Sequence, residues 1–198
     1  MTYEPKYSAK WVHKDSLVNF EQYLTPMGNT NLQFLEIGAF EGLSTNYFSE
    51  KFLIGENNNI TCIDPWIKYS ESSVTKMSQY DEWINEGTYE IFINNTKHNS
   101  DKIIIKKGFS KDVLPELVKG TYDFIYVDGD HSEVTVWLDA ICSFPLLKIN
   151  GIIIFDDYKW NHGDKSPEKA INRFMEEYSS RLEILKINYQ VVLRKIKE

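Results

Sequence analysis

The 198-residue sequence predicts a single α/β domain built on a doubly wound, seven-stranded, mostly parallel sheet with one antiparallel strand. Three observations carry this expectation. Short apolar runs alternate with segments of helical spacing along most of the chain, as in successive strand-helix-strand units. Several of those runs stop at a carboxylate and a turn, as in Glu36-Ile37-Gly38, Ile63-Asp64-Pro65, Val127-Asp128-Gly129 and Phe155-Asp156-Asp157. The last two runs are separated only by Asn188-Tyr189, which allows a hairpin but not the long crossover that parallel neighbours require.

Residues 1–30 read as a helical lead. Trp11, Leu17, Phe20, Tyr23 and Leu24 fall close to helical spacing, and Thr25-Pro26-Met27-Gly28 breaks the pattern. The run through Phe34-Leu35-Glu36-Ile37 is the first strand and Leu43 to Phe52 the helix after it. Ile60 to Ile63 follows as the second strand, ending at Asp64. Residues 67–101 hold no convincing strand but two helical stretches, Tyr80 to Asn85 and Tyr89 to His98. So long an interruption reads as a lid-like insertion, with Tyr69, Met77, Trp83 and Tyr89 facing either substrate or the core. Lys102 to Lys107 is the third strand, and Gly108-Phe109-Ser110 leads into a short helix, Asp112 to Val118. Tyr122 to Val127 is the fourth strand, followed by a helix from Glu133 to Phe144. Ile152 to Phe155 is wholly apolar, the mark of a strand covered on both faces. Ser166 at N-cap and Pro167 at N1 start a helix that runs to Tyr178, and Leu182 to Ile187 and Gln190 to Ile196 close the chain.

Composition narrows the function. Hydrophobic residues make up 42% and charged residues 26%, enough apolar material for a core and too much for a disordered chain. The 29 acidic against 22 basic residues give a net charge of −7, with no basic cluster before the C-terminal tail, which argues against nucleic acid as a partner. No stretch approaches the ~20 apolar residues that cross a bilayer, so no membrane partner is expected. Cys62 and Cys142 lie far apart inside apolar segments, as buried reduced thiols do. Together these point to a soluble, cytoplasmic chain. The oligomeric state is left open, a homodimer being among the assemblies allowed.

The stretch from Glu36 to Thr45 organises the rest. A strand that ends on a carboxylate and turns on Gly38 leaves bare backbone for a ligand to approach, Gly42 lets the next helix start close by, and Ser44 and Thr45 offer hydroxyls in its first turn. The spacing Glu36-x-Gly38-x-x-x-Gly42 lacks the third glycine of the dinucleotide fingerprint. Taken alone it is also compatible with an ordinary strand-turn-helix corner. Asp64, just over ~20 residues past the glycine loop at the end of the second strand, is placed to accept from ribose hydroxyls, or else to start an Asp-Pro turn. Asp128, Asp130, His131, Asp156 and Asp157 fall at the ends of what should be adjacent parallel strands. So many acids together call for a counter-charge, and Mg²⁺ or Mn²⁺ answers that need; solvated strand ends, with Asp130 capping the next helix, are the alternative.

On these motifs the chain resembles the class I S-adenosylmethionine (SAM)-dependent methyltransferases, whose fold is Rossmann-like. Within them, Asp128-Gly-Asp-His131 followed by Asp156-Asp157 resembles the metal-dependent O-methyltransferases of macrolide sugars and, more loosely, the catechol-type enzymes, whose last ligand is Asn rather than Asp. The resemblance implies that Glu36, Gly38, Ala39, Phe40, Gly42, Ser44, Thr45 and Asp64 hold SAM, with Phe109 and Ser110 flanking the adenine and Asp128 also at the cofactor. It further implies that Asp128, Asp156 and Asp157 bind the metal, that His131 is the catalytic base beside Asp128, and that the acceptor is a small molecule or sugar. A SAM- or nucleotide-binding module with a merely structural acidic cluster is the competing interpretation.

Overall fold

The computed structural model of the protein describes residues 4–8, 13–28, 30–67, 87–160 and 167–198. Seven strands form one sheet: β1 (Gln33–Ile37), β2 (Asn59–Asp64), β3 (Ile103–Lys107), β4 (Tyr122–Val127), β5 (Leu147–Phe155), β6 (Leu182–Ile187) and β7 (Val191–Lys195). Their order is β3-β2-β1-β4-β5-β7-β6. β1 to β5 pair in parallel, while β7 pairs antiparallel with both β5 and β6 and is therefore the reversed strand. The order turns back between β1 and β4. In open α/β sheets the crevice outside the strand C-termini at such a reversal is where ligands bind.

The helices are α1 (Lys14–Leu24), α2 (Leu43–Lys51), α3 (Thr88–Thr96), α4 (Ser110–Val113), α5 (Glu133–Ser143) and α6 (Pro167–Glu177). Alternation along each strand splits the apolar residues between two layers. Leu35, Ile37, Ile125, Val127, Ile153 and Phe155 pack under α5 and α6 with Val136, Ala140, Ile171 and Phe174. Phe34, Ile60, Phe124, Tyr126, Ile152 and Ile154 face the other way, against Phe20, Phe48 and Phe92 of α1, α2 and α3. Phe48 centres this second layer, its ring 4.9 Å from Phe20, 5.3 Å from Phe124 and 5.4 Å from Tyr126, all edge-on. Each such fully buried ring contributes roughly 1.5–3 kcal/mol from apolar burial.

Three elements depart from expectation. The helix after β3 is α-helical only from Ser110 to Val113, because Pro115 has no N–H to donate back to the Lys111 carbonyl, and the chain continues as a 3-10 turn, Leu114–Glu116. β5 begins at Leu147, five residues before the apolar run. Its pairing with β4 shifts between Tyr122 and Phe124, and Asn150, at φ 69°, carries the irregularity. α1 starts at Lys14 with His13 as its N-cap, the ring accepting from Asp15 N–H at 3.2 Å. Trp11, the helical stretch Tyr80 to Asn85 with Tyr69, Met77 and Trp83, and the Ser166 N-cap lie outside the described residues; of the proposed insertion, α3 is described. Cys62 and Cys142 are free thiols. Among the described residues, no helix is long and apolar enough to cross a membrane.

Candidate active site

The chain turns from β1 into α2 through Gly38, at φ 91°, and Gly42, at φ 84°. Both glycines are required by packing. A Cβ on Gly38 would stand 2.0 Å from the Asp128 carbonyl oxygen, and one on Gly42 would stand 2.5 Å from Thr96 Cγ2. Gly38 thus lets the ends of β1 and β4 close on each other, with Asp128 N–H donating to Ile37 O at 2.9 Å. Gly42 lets α3 lie against the loop.

Glu36 is fully buried at the end of β1 and accepts from the hydroxyls of both Ser44 and Thr45, while Cys62 Sγ approaches at 3.5 Å. Burial pushes its carboxyl up to about 7 against the opposing pull of those bonds. The three residues are therefore joined to one another and tie α2 to the sheet. Asp64 spans two loops: Phe40 N–H donates to Oδ2 at 2.9 Å and Trp66 N–H to Oδ1 at 2.7 Å. Trp66 returns its ring N–H to Phe40 O at 2.7 Å, so the ends of β1 and β2 are clasped together. Phe40 and Trp66 both have positive φ, 44° and 45°, an uncommon backbone that this clasp holds. Burial pushes the Asp64 carboxyl up, opposed by the backbone donors. Phe109 and Ser110 stand at the start of α4; Asp139 of α5, whose carboxyl oxygens are buried without a well-formed hydrogen bond among the described residues, is pushed up to about 7 by desolvation.

The acids converge. β4 and β5 are paired to their ends, Val127 opposite Phe155, so Asp128 and Asp156 emerge side by side, with Asp156 N–H donating to Val127 O at 3.0 Å. Asp156 accepts from the Tyr126 hydroxyl and, at 2.8 Å, from Asp157 N–H. Asp157, at φ 53°, accepts from the Tyr189 hydroxyl on Oδ1, and His131 Nε2 lies 2.6 Å from its Oδ2. The His131 ring packs on Trp160 at 4.5 Å. Desolvation and then the charges of Asp156 and Asp157 push Asp128 well above the carboxylate range. Asp156 rises to about 6 by desolvation and the neighbouring Asp157. Desolvation also works against Asp157, but the bond and charge of His131 and the Tyr189 hydroxyl hold it low. The ligand atoms of Asp128, His131 and Asp157 all lie within 4.8 Å of one another. Half-buried acids, two of them raised by acidic neighbours, with a histidine nitrogen in reach, are a donor set suited to a hard divalent ion.

All four of these side chains were named from the sequence, and the strand ends bring them together. Asp130 does not cap α5: Ser132 does, accepting from Thr135 N–H at 3.3 Å, and Asp130 accepts from Ser132 N–H at 2.7 Å in the turn before it. Sequence reading missed Tyr126, Tyr189 and Trp160. Tyr126 alone left a signal, standing two residues before Asp128 on the same strand and hence on the same side.

Residues 35–158 match the family model described as "Methyltransferase domain". The chain is 26% identical over 191 residues to "Probable caffeoyl-CoA O-methyltransferase 3" of Dictyostelium discoideum, covering 85% of this chain and 68% of that protein. It spans between 31% and 61% of the length of six further curated relatives. The fold resembles an O-methyltransferase from Bacillus cereus solved in complex with SAH, with a TM-score of 0.67, 16% identity, and coverage of 94% of this chain and 82% of that one. It also resembles the MycE methyltransferase of the mycinamycin biosynthetic pathway solved with Mg and SAH, with a TM-score of 0.61, 15% identity, and coverage of 96% and 51%.

Proposed function

Because the chain belongs to the methyltransferase domain family, we propose that it transfers the methyl group of SAM to a hydroxyl oxygen of a small molecule or sugar, assisted by Mg²⁺ or Mn²⁺. The curated relatives named for caffeoyl-CoA support oxygen as the methyl acceptor. The observation that carries the metal-assisted reading is the convergence of Asp128, His131 and Asp157 within 4.8 Å, beside the β1/β4 reversal.

In this reading SAM lies across that reversal, the loop from Gly38 through Ala39 and Phe40 to Gly42 beneath its methionine part. Asp64 accepts from the ribose with the lone pairs that the backbone donors leave free, and Phe109 and Ser110 border the adenine. Asp128, Asp156 and Asp157 hold the divalent ion. What that ion supplies is Lewis acidity toward the acceptor hydroxyl, lowering its pKa, and charge balance among the three acids. His131 takes the hydroxyl proton on a ring nitrogen. Asp157, 2.6 Å from that ring, stabilises the imidazolium that results.

A second arrangement makes His131 a ligand in place of Asp156, since the ligand atoms of Asp128, His131 and Asp157 are the ones that lie within 4.8 Å of one another. The experiment is methyl transfer from labelled SAM to a panel of phenolic and sugar acceptors, with and without chelator, alongside calorimetric SAM and Mn²⁺ titration of His131→Ala. With His131 as base, the variant keeps Mn²⁺ affinity and loses rate by about 10²–10⁴-fold. With His131 as ligand it loses Mn²⁺ affinity as well. A chain that neither binds SAM nor transfers methyl overturns the reading.

A further inference from the structure

Asp156 and Asp157 are flanked by groups that belong to neither β4 nor β5. The turn between β6 and β7, Asn188 to Gln190, lies directly against them. Tyr189 donates its hydroxyl to Asp157 Oδ1, the oxygen that His131 does not use. Both oxygens of that carboxylate are thereby engaged and its rotation is fixed. The turn is also bonded to the backbone after β5, Tyr158 N–H donating to Tyr189 O at 2.9 Å. This matters because Asp157 sits at φ 53°, a left-handed conformation that its neighbours must hold in place.

Gln190 performs a related task for Asp156. It is fully buried, and so is Asn19 of α1, whose Nδ2 donates to Gln190 Oε1 at 3.0 Å and to Asn188 Oδ1 at 3.1 Å. A primary amide with its oxygen fixed in this way must present its NH₂ on the opposite side. That Nε2 is buried without a well-formed hydrogen bond among the described residues, and the carboxylate it addresses is Asp156. Asn188 locks the turn from within, its Oδ1 accepting from Gln190 N–H at 2.9 Å. At the start of α1, the His13 ring stacks on Tyr189 with centroids 4.3 Å apart and planes at 18°. The helix therefore grips the turn at two points, His13 and Asn19.

We propose that Tyr189 and Gln190 are positioning residues for the acid pair Asp156 and Asp157, and that α1 holds them in place through Asn19 and His13. The N-terminal helix is thus part of the machinery that shapes the metal-binding acids, although it contributes no ligand. Partners of this kind that orient ligands typically govern metal affinity by about 10- to 100-fold. The inference rests on the metal reading above, and its test separates the two.

Mn²⁺ and SAM are titrated calorimetrically into the parent, Tyr189→Phe and Asn19→Asp, and each protein is melted without ligands. Tyr189→Phe removes one hydroxyl and keeps the ring that stacks on His13. Asn19→Asp keeps the shape but withdraws the donor, so the Gln190 amide turns its oxygen toward Asp156. Both variants should bind Mn²⁺ about 10-fold more weakly or worse while holding SAM within about 2-fold of the parent. A merely structural role would lower the melting temperature and leave the Mn²⁺ affinity of the folded protein unchanged. Tyr189→Phe binding Mn²⁺ as tightly as a parent that does bind it overturns this inference alone, whether or not Asn19→Asp folds. A parent that binds no Mn²⁺ overturns the metal reading and this inference with it.

Discussion

A Cβ on Gly38 would stand 2.0 Å from the carbonyl oxygen of Asp128, closer than any real contact, on a backbone already at φ 91°. The glycine that marks the loop in the sequence is therefore a joint between β1 and β4 before it is anything else. Gly38→Ala should destabilise the ligand-free protein by more than about 1 kcal/mol from the backbone conformation alone, with the clash adding to that. Thermal melting without SAM is the measurement. An unchanged melting temperature would mean that the ends of β1 and β4 are not packed this closely.

Glu36 gives a pH-dependent signature. Its carboxyl is raised from the ordinary 4.5 to about 7 by burial in the folded protein, so folding favours the protonated form. A folded-state pKa above the unfolded one stabilises fully below about 4.5 and loses that contribution as pH rises through 7. Glu36→Gln removes the titration while retaining partners for Ser44 and Thr45. Between pH 5 and 8 the parent should lose stability relative to the variant, on the order of 1–3 kcal/mol. Denaturant melts of both proteins across that range check it, and parallel curves would show that Glu36 does not titrate there.

Asp64 carries two loops and, in the proposed function, the ribose. Asp64→Ala should therefore weaken SAM binding by about 1.5–3 kcal/mol, the value of a hydrogen bond to a charged group, and also lower the stability of the free protein as Phe40 N–H and Trp66 N–H lose their acceptor. Calorimetric SAM titration beside a ligand-free melt separates the two effects. Lost stability with unchanged SAM affinity would make Asp64 a clasp only.

Much of this was legible in the sequence because it depends on local pattern. Tyr122–Val127 and Leu182–Ile187 were bounded correctly from apolar runs and turn residues, and the short link Asn188-Tyr189 marked the last two strands as a hairpin. The four side chains of the acidic centre were legible for the same reason, since each follows a strand end. Pairing across the fold was not. The sequence placed Ser44 and Thr45 in the first turn of the helix after the glycine loop but gave no sign that both bind Glu36. Tyr189 is set against Asp157, and Asn19 against Gln190, by contacts between residues far apart in the chain, which no periodicity encodes. The truncated α4 was within reach, because Pro115 was visible and its missing N–H ends the α-helical bonding by a local rule.

The central claim is that Asp128, Asp156 and Asp157 hold a divalent ion, and melting of the parent and of Asp128→Asn in chelator and in Mn²⁺ tests it most directly. Without metal, Asp128 is raised by desolvation and by its two acidic neighbours, so the neutral variant should be at least as stable as the parent. With Mn²⁺ at about 100 times its dissociation constant, the parent should gain about 2.7 kcal/mol, a shift of roughly 5–10 °C for a domain of this size, and Asp128→Asn should gain almost nothing. A parent that melts at the same temperature in chelator and in saturating Mn²⁺ would contradict the claim.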